Sequence, residues 1–251
     1  MSLGVDLFVL KGDIGRMNTV FKFYMQIWVF WSIVTAVSLS YLAEHVREWA
    51  VRRQRLWWSV FGVLLFLAAL YPALAARAKI NDRFDRSVGP TLDGMAYMTK
   101  AVYHDGEPIE LKWDRDAINW LLDNVQGSPV IMEGNTEERG LYRWGSRVSI
   151  YTGLPTVIGW GWHERQQRSA MPGEWIDHRF NDVQRFYRDP SPDVALDVLR
   201  KYDVKYVYVG HLERIYYPGP GLDKFAAMAV EGTLELVYEN EQVRVYEVVA
   251  R

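Results

Sequence analysis

The chain has 251 residues, and its 29 Lys and Arg residues against 31 Asp and Glu residues give a formal net charge of −2 at pH 7. This near-neutral balance gives no reason to expect nucleic acid as a partner, because nucleic-acid binding favours a basic surface. The chain has no cysteine, which excludes disulfides, thiolate metal sites and cysteine nucleophiles.

Two apolar runs lie near the N-terminus, at Phe23–Leu42 and Leu56–Ala76. Each is about 20 residues long, enough for a helix to cross ~30 Å of hydrocarbon. The second run carries no charge. The first contains Gln26 and several hydroxyl side chains, which favour packing against other membrane helices. A buried helix of a soluble core is the alternative, but two such runs in tandem favour membrane spans.

We therefore predict a transmembrane hairpin over residues 23–76, with helices at about 23–42 and 56–76 joined by loop 43–55. The positive-inside rule would place this loop in the cytoplasm. Two spans put segment 1–22 on the same side as everything after residue 76. Basic residues, however, are equally frequent in the loop and after the second span, at Arg47, Arg52, Arg53 and Arg55 against Arg77, Lys79, Arg83 and Arg86.

Residues 77–112 are predicted to form a polar linker. Residues 113–251 are predicted to form a globular α/β extramembrane domain with a mixed sheet, because strand and helix patterns alternate there. Asp114 is expected to cap a helix that runs to Val125. The predicted strands are Pro129–Met132, Arg147–Tyr151, Thr156–Ile158 and Val204–Val209, with a final hairpin of Thr233–Tyr238 and Val243–Val248. The other predicted helices are Trp175–Tyr187, Ser191–Tyr202 and Leu222–Val230.

The segment Thr152–Arg168 combines glycine, tryptophan, histidine, glutamate and basic residues in a predicted strand-to-loop passage. Loops after strands are where α/β domains usually place their sites. His163 and Glu164 could act as acid and base, or Glu164 could fix the His163 tautomer. Position 167 is Gln, so this is not the HExxH zinc motif, and no metal is expected. The alternative is a rigid, hydrogen-bonded plug docked on the sheet or the membrane surface.

Two further groups of charged residues follow predicted strands. Clustered arginines bind phosphate or carboxylate through their planar fork, although ion pairs with Glu137 and Glu138 are an alternative. The segment Gly210–Tyr217 follows the strand Val204–Val209, where ligands of parallel sheets bind, although capping or packing is equally compatible. The first group, which contains the arginine cluster, consists of Glu133, Arg139, Arg143 and Arg147. The second, within Gly210–Tyr217, consists of His211, Glu213 and Arg214.

Four long segments closely resemble signatures of a large multi-pass membrane protein family of prokaryotes, the functionally uncharacterised Chlor_Arch_YYY type. They are Leu10–Trp28, Gly89–Met95, Ser149–Arg165 and Tyr206–Arg214. Members of that family are usually far longer, with many spans before this region. The resemblance therefore implies that this chain corresponds to the last two spans and the terminal domain of such a protein.

The family is similar in layout to GT-C glycosyltransferases, which use a polyprenyl-phosphate sugar donor and an acidic residue in an early extracytoplasmic loop. The resemblance implies a cell-membrane protein with an extracytoplasmic C-terminal domain and Asp13 on the outer face. The implied partners are membrane lipid and the transmembrane helices of an upstream portion or neighbouring subunit. No catalytic residue or cofactor carries over. The residues expected to contact substrate are Arg16, His163, Glu164, Arg168, Arg147, Glu213 and Arg214. A non-catalytic, membrane-anchored binding or assembly module is the alternative.

Overall fold

A computed structural model describes residues 4–8, 15–84, 86–136, 138, 140–168 and 170–249. The chain divides into two compact units, residues 1–89 and residues 90–251. The first contains helices α1 (Gly4–Leu7), α2 (Gly15–Val46) and α3 (Val51–Arg83). The second is an α/β domain, and part of the segment predicted as a linker belongs to it.

Helices α2 and α3 contain stretches long and apolar enough to cross a membrane, by length and composition, at Met17–Val46 and Val51–Arg83. Their most apolar windows have mean hydropathies of 1.4 and 2.1, and no part of either window is buried. An exposed apolar helix of this length is stable only when something apolar covers it, as lipid does. Both helices extend well beyond the predicted bounds, so that only Arg47–Ala50 separates them.

Within the described residues, the domain contains seven α-helices and six strands, together with short 3₁₀ turns at Ala96–Thr99 and Pro220–Leu222. A small hairpin of β1 (Val102–Asp105) and β2 (Glu107–Glu110) comes first. The helices are α4 (Leu111–Asn124), α5 (Arg147–Thr152), α6 (Gly161–Gln167), α7 (Glu174–Arg188), α8 (Pro192–Lys201), α9 (His211–Tyr216) and α10 (Asp223–Val230). The remaining strands are β3 (Val130–Met132), β4 (Val204–Val209), β5 (Leu234–Glu239) and β6 (Arg244–Val248).

The main sheet has the strand order β3-β4-β6-β5. Strand β3 pairs parallel with β4, whereas β6 pairs antiparallel with both β4 and β5. Alternate residues of β4 enter different apolar clusters, because successive side chains of a strand point to opposite faces. Val207 packs in a cluster with residues of α7, α8 and α10, and Tyr208 packs in one with residues of α4. The predicted class, a membrane protein with an α/β domain and a mixed sheet, is confirmed.

The prediction of a strand at Arg147–Tyr151 was wrong, because these residues form α5. Their alternating apolar pattern mimics a strand. The Glu133 carboxylate instead accepts the N–H groups of Val148 and Ser149, at 2.8 and 2.9 Å, which stabilises a helix N-terminus. Thr156–Ile158 is not a full strand either, and makes one parallel bridge from Thr156 to Ile131.

Asp114 does not cap α4, which begins three residues earlier at Leu111. The Asp114 side chain is buried and pairs with Arg147. The predicted linker also contains the β1–β2 hairpin. Each of these strands has only four residues, which is too short for a clear periodic pattern, so the sequence did not reveal them.

Candidate functional site

Three chain segments end at the same edge of the main sheet. Strands β3 and β4 run parallel, and the segment at Thr156 bridges β3 on its other side, also in parallel. The loops that follow, beginning at Glu133, Gly159 and Gly210, therefore leave the sheet together. This edge, beyond the carboxyl ends of parallel strands, is where open α/β sheets usually bind ligands.

The inner part of this edge is filled by the Arg147 cluster, which consists of Asp114, Glu133, Arg147, Tyr208 and Glu213. Arg147 is 1% exposed and Glu213 is fully buried. The guanidinium meets Glu213 through two contacts, Nη2–Oε2 at 2.8 Å and Nη1–Oε1 at 3.1 Å. Its Nε lies 2.9 Å from Asp114 Oδ2. This bidentate geometry is the strongest form of arginine–carboxylate pairing.

The carboxylates of the cluster have further donors. Asp114 accepts the Tyr208 hydroxyl at 2.7 Å and Trp144 Nε1 at 2.8 Å. Glu213 accepts the backbone N–H groups of Gly134 and Gly210, at 2.9 and 2.7 Å. Because buried charges are costly unless they are paired and hydrogen-bonded, this dense pairing explains how the cluster remains in the core.

Glycine is required at both strand ends for the cluster to form. A Cβ at Gly210 would lie 2.8 Å from Arg147 Nη2, and a Cβ at Gly134 would lie 2.9 Å from Glu213 Oε1. Side chains at these positions would displace the ion pair. The close approach of backbone to Arg147 and Glu213 therefore comes from two glycines.

The pKa values of two buried carboxylates of the cluster are shifted in opposite directions. Burial pushes the pKa of Glu213 up, but Arg147 and two backbone N–H groups more than offset this, so the pKa lies below its usual value. Burial dominates at Glu133, and its pKa is raised despite Arg147 and the N–H groups of α5. The difference follows from the direct guanidinium contact that Glu213 makes.

Asn135 joins this buried cluster to the surface above it. Its backbone N–H donates to the Tyr217 hydroxyl at 2.9 Å, and the Tyr217 ring stacks on Tyr187, with centroids 4.7 Å apart. The Asn135 side-chain amide donates to the Gly159 carbonyl at 2.8 Å. The loop after β3 therefore fixes the start of the segment that contains α6.

The outer part of the edge is the His163 surface, which consists of Tyr142, Trp160, Trp162, His163, Glu164 and Arg168. His163 is exposed, and its ring lies edge-on to Tyr142 at 6.2 Å. Glu164 accepts the Gly159 N–H at 2.7 Å and lies 3.3 Å from Arg168 Nη1. The structure therefore assigns Glu164 to holding the loop, with His163 and Arg168 presented to solvent.

The structure separates the residues predicted to contact substrate. His163, Glu164 and Arg168 come together at the surface, whereas Arg147 and Glu213 pair in the core. Arg214 is exposed on α9 and hydrogen-bonds Gln242. The predictions for the Arg16 side chain and for Asp13 and Arg139 fall outside the described residues. Of the remaining candidates, Arg143 pairs with Asp105, and His211 Nε2 lies 3.7 Å from Glu107 Oε2.

Sequence reasoning missed Tyr142 and the buried roles of Asp114 and Tyr208, and it included Trp160 only as part of the segment Thr152–Arg168. Tyr142 has a left-handed backbone, with φ of +57°, and nothing in a tyrosine's sequence context signals that conformation. Asp114 gave a signal that was misread as a helix cap. Among the described residues, no group of three or more His, Asp or Glu side chains could hold a metal ion.

Residues 1–31 match a family described as "Uncharacterized membrane protein (DUF2298)". The N-terminal segment of this chain resembles that family. The match to a membrane protein family agrees with the two apolar helices, so the chain is a membrane protein. No curated protein matches the chain.

A solved structure, the C-terminal globular domain of an oligosaccharyltransferase from Archaeoglobus fulgidus, is similar to this chain at 16% identity. The similarity covers 54% of this chain and 95% of that domain, with a TM-score of 0.33. A TM-score this low supports no inference about the site, whose properties therefore rest on the contacts within this chain.

Proposed function

We propose that this chain is the C-terminal portion of a GT-C-like membrane transferase that uses a lipid-linked sugar donor. The observation that carries the proposal is the His163 surface, with an exposed histidine and arginine at the sheet edge where α/β domains usually bind ligands, in a chain that also has two apolar helices. The N-terminal match to a membrane protein family supports the same layout.

In this proposal the chain contributes binding groups. Sugar transfer from a polyprenyl phosphate breaks the bond between the sugar's anomeric carbon and a phosphate oxygen, and forms a bond to an acceptor hydroxyl, which loses its proton to a base. An acidic residue of the upstream portion would take that proton. Arg168 would hold the departing phosphate, because a guanidinium binds phosphate oxygens through paired N–H groups.

Arg168 is suited to this role because its present partner is weak. Its contact with Glu164 is 3.3 Å long, between side chains that are 45% and 21% exposed. Exposed ion pairs of this kind contribute about 0–1 kcal/mol. A phosphate could therefore replace Glu164 at small cost, while Glu164 keeps its bond to the Gly159 N–H.

The proposal places the domain outside the cytoplasm, in a multi-pass protein of the cell membrane. The arginine-containing segment between α2 and α3 would then be cytoplasmic, in accordance with the positive-inside rule. The lipid-linked donor and the acceptor would meet the domain on the outer side.

The experiment expresses the tagged chain together with the product of the neighbouring upstream reading frame and purifies the pair in detergent. Transfer from a radiolabelled polyprenyl-phosphate sugar is then measured. We expect turnover by the pair, and about tenfold weaker donor use for Arg168→Ala, since a hydrogen bond to a charged group contributes about 1.5–3 kcal/mol. Arg200→Ala, at an exposed arginine of α8, is the matched control and should behave as wild type.

A membrane-anchored binding or assembly module is the second candidate. The observation that favours it is the lower hydropathy of the first span, 1.4 against 2.1, because hydroxyl-bearing helices associate with other helices. A chain that captures a multi-span partner but shows no donor turnover, and no change on Arg168→Ala, would support this candidate and contradict the transferase.

A further inference from the structure

Tyr142 has a backbone conformation that tyrosine rarely adopts. Its φ of +57° lies in the left-handed region, which costs a bulky residue conformational energy. The following residues prevent it from relaxing, because Arg143 pairs with Asp105 and Trp144 Nε1 donates to the buried Asp114 at 2.8 Å. Strain that persists under such constraints is concentrated at binding and active sites.

The strained turn presents the Tyr142 ring at the surface, where the residue is 49% exposed. The ring lies edge-on to Trp160 at 5.1 Å and to His163 at 6.2 Å. Three rings from two separate segments, the turn at Tyr142 and the start of α6, therefore form one aromatic group at the edge of the sheet.

This aromatic group contains a polar atom without a partner. Trp160 Nε1 is buried and makes no hydrogen bond within the described part of the chain. A buried N–H left unpaired costs about 1–3 kcal/mol, so a buried indole usually donates to something. Because this atom is closed to solvent, a ligand oxygen reaches the N–H only when a neighbouring side chain moves aside, and that contact would then remove the cost.

The charged residues near the rings occur in pairs of opposite sign, so this surface carries no net charge. Arg168 lies beside Glu164, and Arg165 pairs with Asp177. This surface presents aromatic rings, a histidine and an unpaired N–H, and its charges occur in pairs. It therefore fits a neutral molecule that has an apolar face and several hydroxyl groups. A pyranose ring has this chemistry, since one of its faces carries C–H groups and its rim carries hydroxyls.

We propose that Tyr142, Trp160 and His163 form a binding site for the ring of a neutral sugar. The Tyr142 ring stacks on the C–H face, the Trp160 Nε1–H donates to a hydroxyl, and His163 exchanges a hydrogen bond with a second hydroxyl. The site rests on the proposed function in one respect: it would hold the acceptor glycan of the same transferase.

The test uses the full chain in lipid nanodiscs and saturation-transfer NMR with maltotriose, cellotriose and N,N′,N″-triacetylchitotriose as separate probes. We expect at least one trisaccharide to bind with a saturable signal, and Tyr142→Gly to weaken binding at least tenfold. Trp160→Phe, which keeps a ring and removes the donor, should weaken binding about fivefold. Tyr71→Ala, at an exposed tyrosine of α3, is the matched control and should leave binding unchanged.

Glycine tolerates the left-handed backbone, so Tyr142→Gly separates binding from folding. We expect its melting temperature to equal or exceed that of the wild type. A lower melting temperature would show that the ring is a packing element, and would overturn the proposal. Binding of none of the three trisaccharides, or unchanged binding by Tyr142→Gly, would overturn it as well.

The probes carry neither lipid nor phosphate, so the two proposals fail separately. Trisaccharide binding that depends on Tyr142, together with absent donor turnover, would overturn the transferase and leave the sugar site intact. Donor turnover that depends on Arg168, together with absent trisaccharide binding, would overturn the sugar site alone.

Discussion

The Arg147 cluster and the His163 surface lie at the same edge of one sheet, and both combine basic and acidic residues that follow strands. The first is almost fully buried, with a guanidinium between two carboxylates. The second is exposed, and its one ion pair is long and weak. Similar residue types therefore do two different things, and burial determines which.

The His163 surface depends on the Arg147 cluster for its position. The buried cluster holds the ends of β3 and β4 and the start of α5 in one arrangement, through Glu213 and Glu133. Asn135 then connects this arrangement to Gly159, before α6. We infer that the charges in the core position the loop, whereas those at the surface remain available to a ligand.

The sharpest way to break this comparison is to remove the same residue type from each region. Arg147→Met leaves Asp114 and Glu213 buried without a cation, and should lower the free energy of unfolding of the domain by about 3–5 kcal/mol. Arg168→Met should lower it by less than about 1 kcal/mol. Thermal unfolding of both variants in detergent, followed by near-UV circular dichroism, measures the difference. Equal losses would contradict the division into core and surface charges.

The second test separates the two carboxylates within the core. At pH 7, Glu213→Gln should destabilise the domain by about 3–5 kcal/mol, because it breaks a buried ion pair. Glu133→Gln should cost about 1 kcal/mol, since Glu133 makes no direct contact with Arg147 and loses one acceptor.

The pH dependence of these two losses should have opposite signs. The lowered pKa of Glu213, which burial raises and Arg147 more than offsets, gives stability that is present above the unfolded-state pKa and lost as pH falls through the folded one. The raised pKa of Glu133, caused by burial, gives stability that is present at low pH and lost as pH rises. The cost of Glu213→Gln should therefore shrink toward acid, and that of Glu133→Gln should shrink toward neutral pH. Losses that change in the same direction would contradict this assignment.

Lys224 is a third buried charge, and it tests whether the contrast between buried and exposed charges extends beyond the ends of β3 and β4. Lys224 Nζ donates to the carbonyls of Phe186 and Gly221, both at 2.6 Å, and has no carboxylate at that distance. Burial lowers the pKa of Lys224 to about 8. The unfolded chain then binds more protons between about pH 8 and pH 10, so stability should rise there with pH, by about 2 kcal/mol between pH 7 and pH 9.5.

Lys224→Met should abolish this rise, because methionine fills a similar volume without titrating. Unfolding at pH 7, 8 and 9.5, with Lys201→Met as a control at an exposed lysine paired to Asp182, measures the effect. A wild-type profile that is flat or falls between pH 7 and 9.5 would contradict the shifted lysine.

The sequence predicted the parts of the fold that have strong periodic or capping signals. Strand β4 has the predicted bounds, and α8 begins at Pro192 as the Ser191-Pro192 pair indicated. It failed where a tertiary contact overrides the local pattern. Polar and apolar residues alternate in Arg147–Tyr151 as they do in a strand. The carboxylate of Glu133, which lies well before this segment in the sequence, instead stabilises it as a helix.

The candidate site was only partly visible for the same reason. The segment around His163 was identified from its composition. Arg147 and Glu213 were chosen with it, because sequence spacing does not distinguish a charge that faces solvent from one paired across the core. Tyr142 could not be identified, since its exposure depends on a left-handed turn that Arg143 and Trp144 hold in place.

The smallest expected effects lie within the His163 surface, between neighbouring residues. Glu164→Ala removes the acceptor of the Gly159 N–H and should lower the free energy of unfolding by about 1 kcal/mol, whereas His163→Ala should change it by less than about 0.5 kcal/mol. Glu164→Gln keeps an acceptor oxygen and should recover most of the loss. Trisaccharide binding should show the reverse order, with a greater loss for His163→Ala than for Glu164→Gln. If His163→Ala instead lowered stability as much as Glu164→Ala, the histidine would be one of the residues that support the loop. The His163 surface would then not differ from the Arg147 cluster in this way.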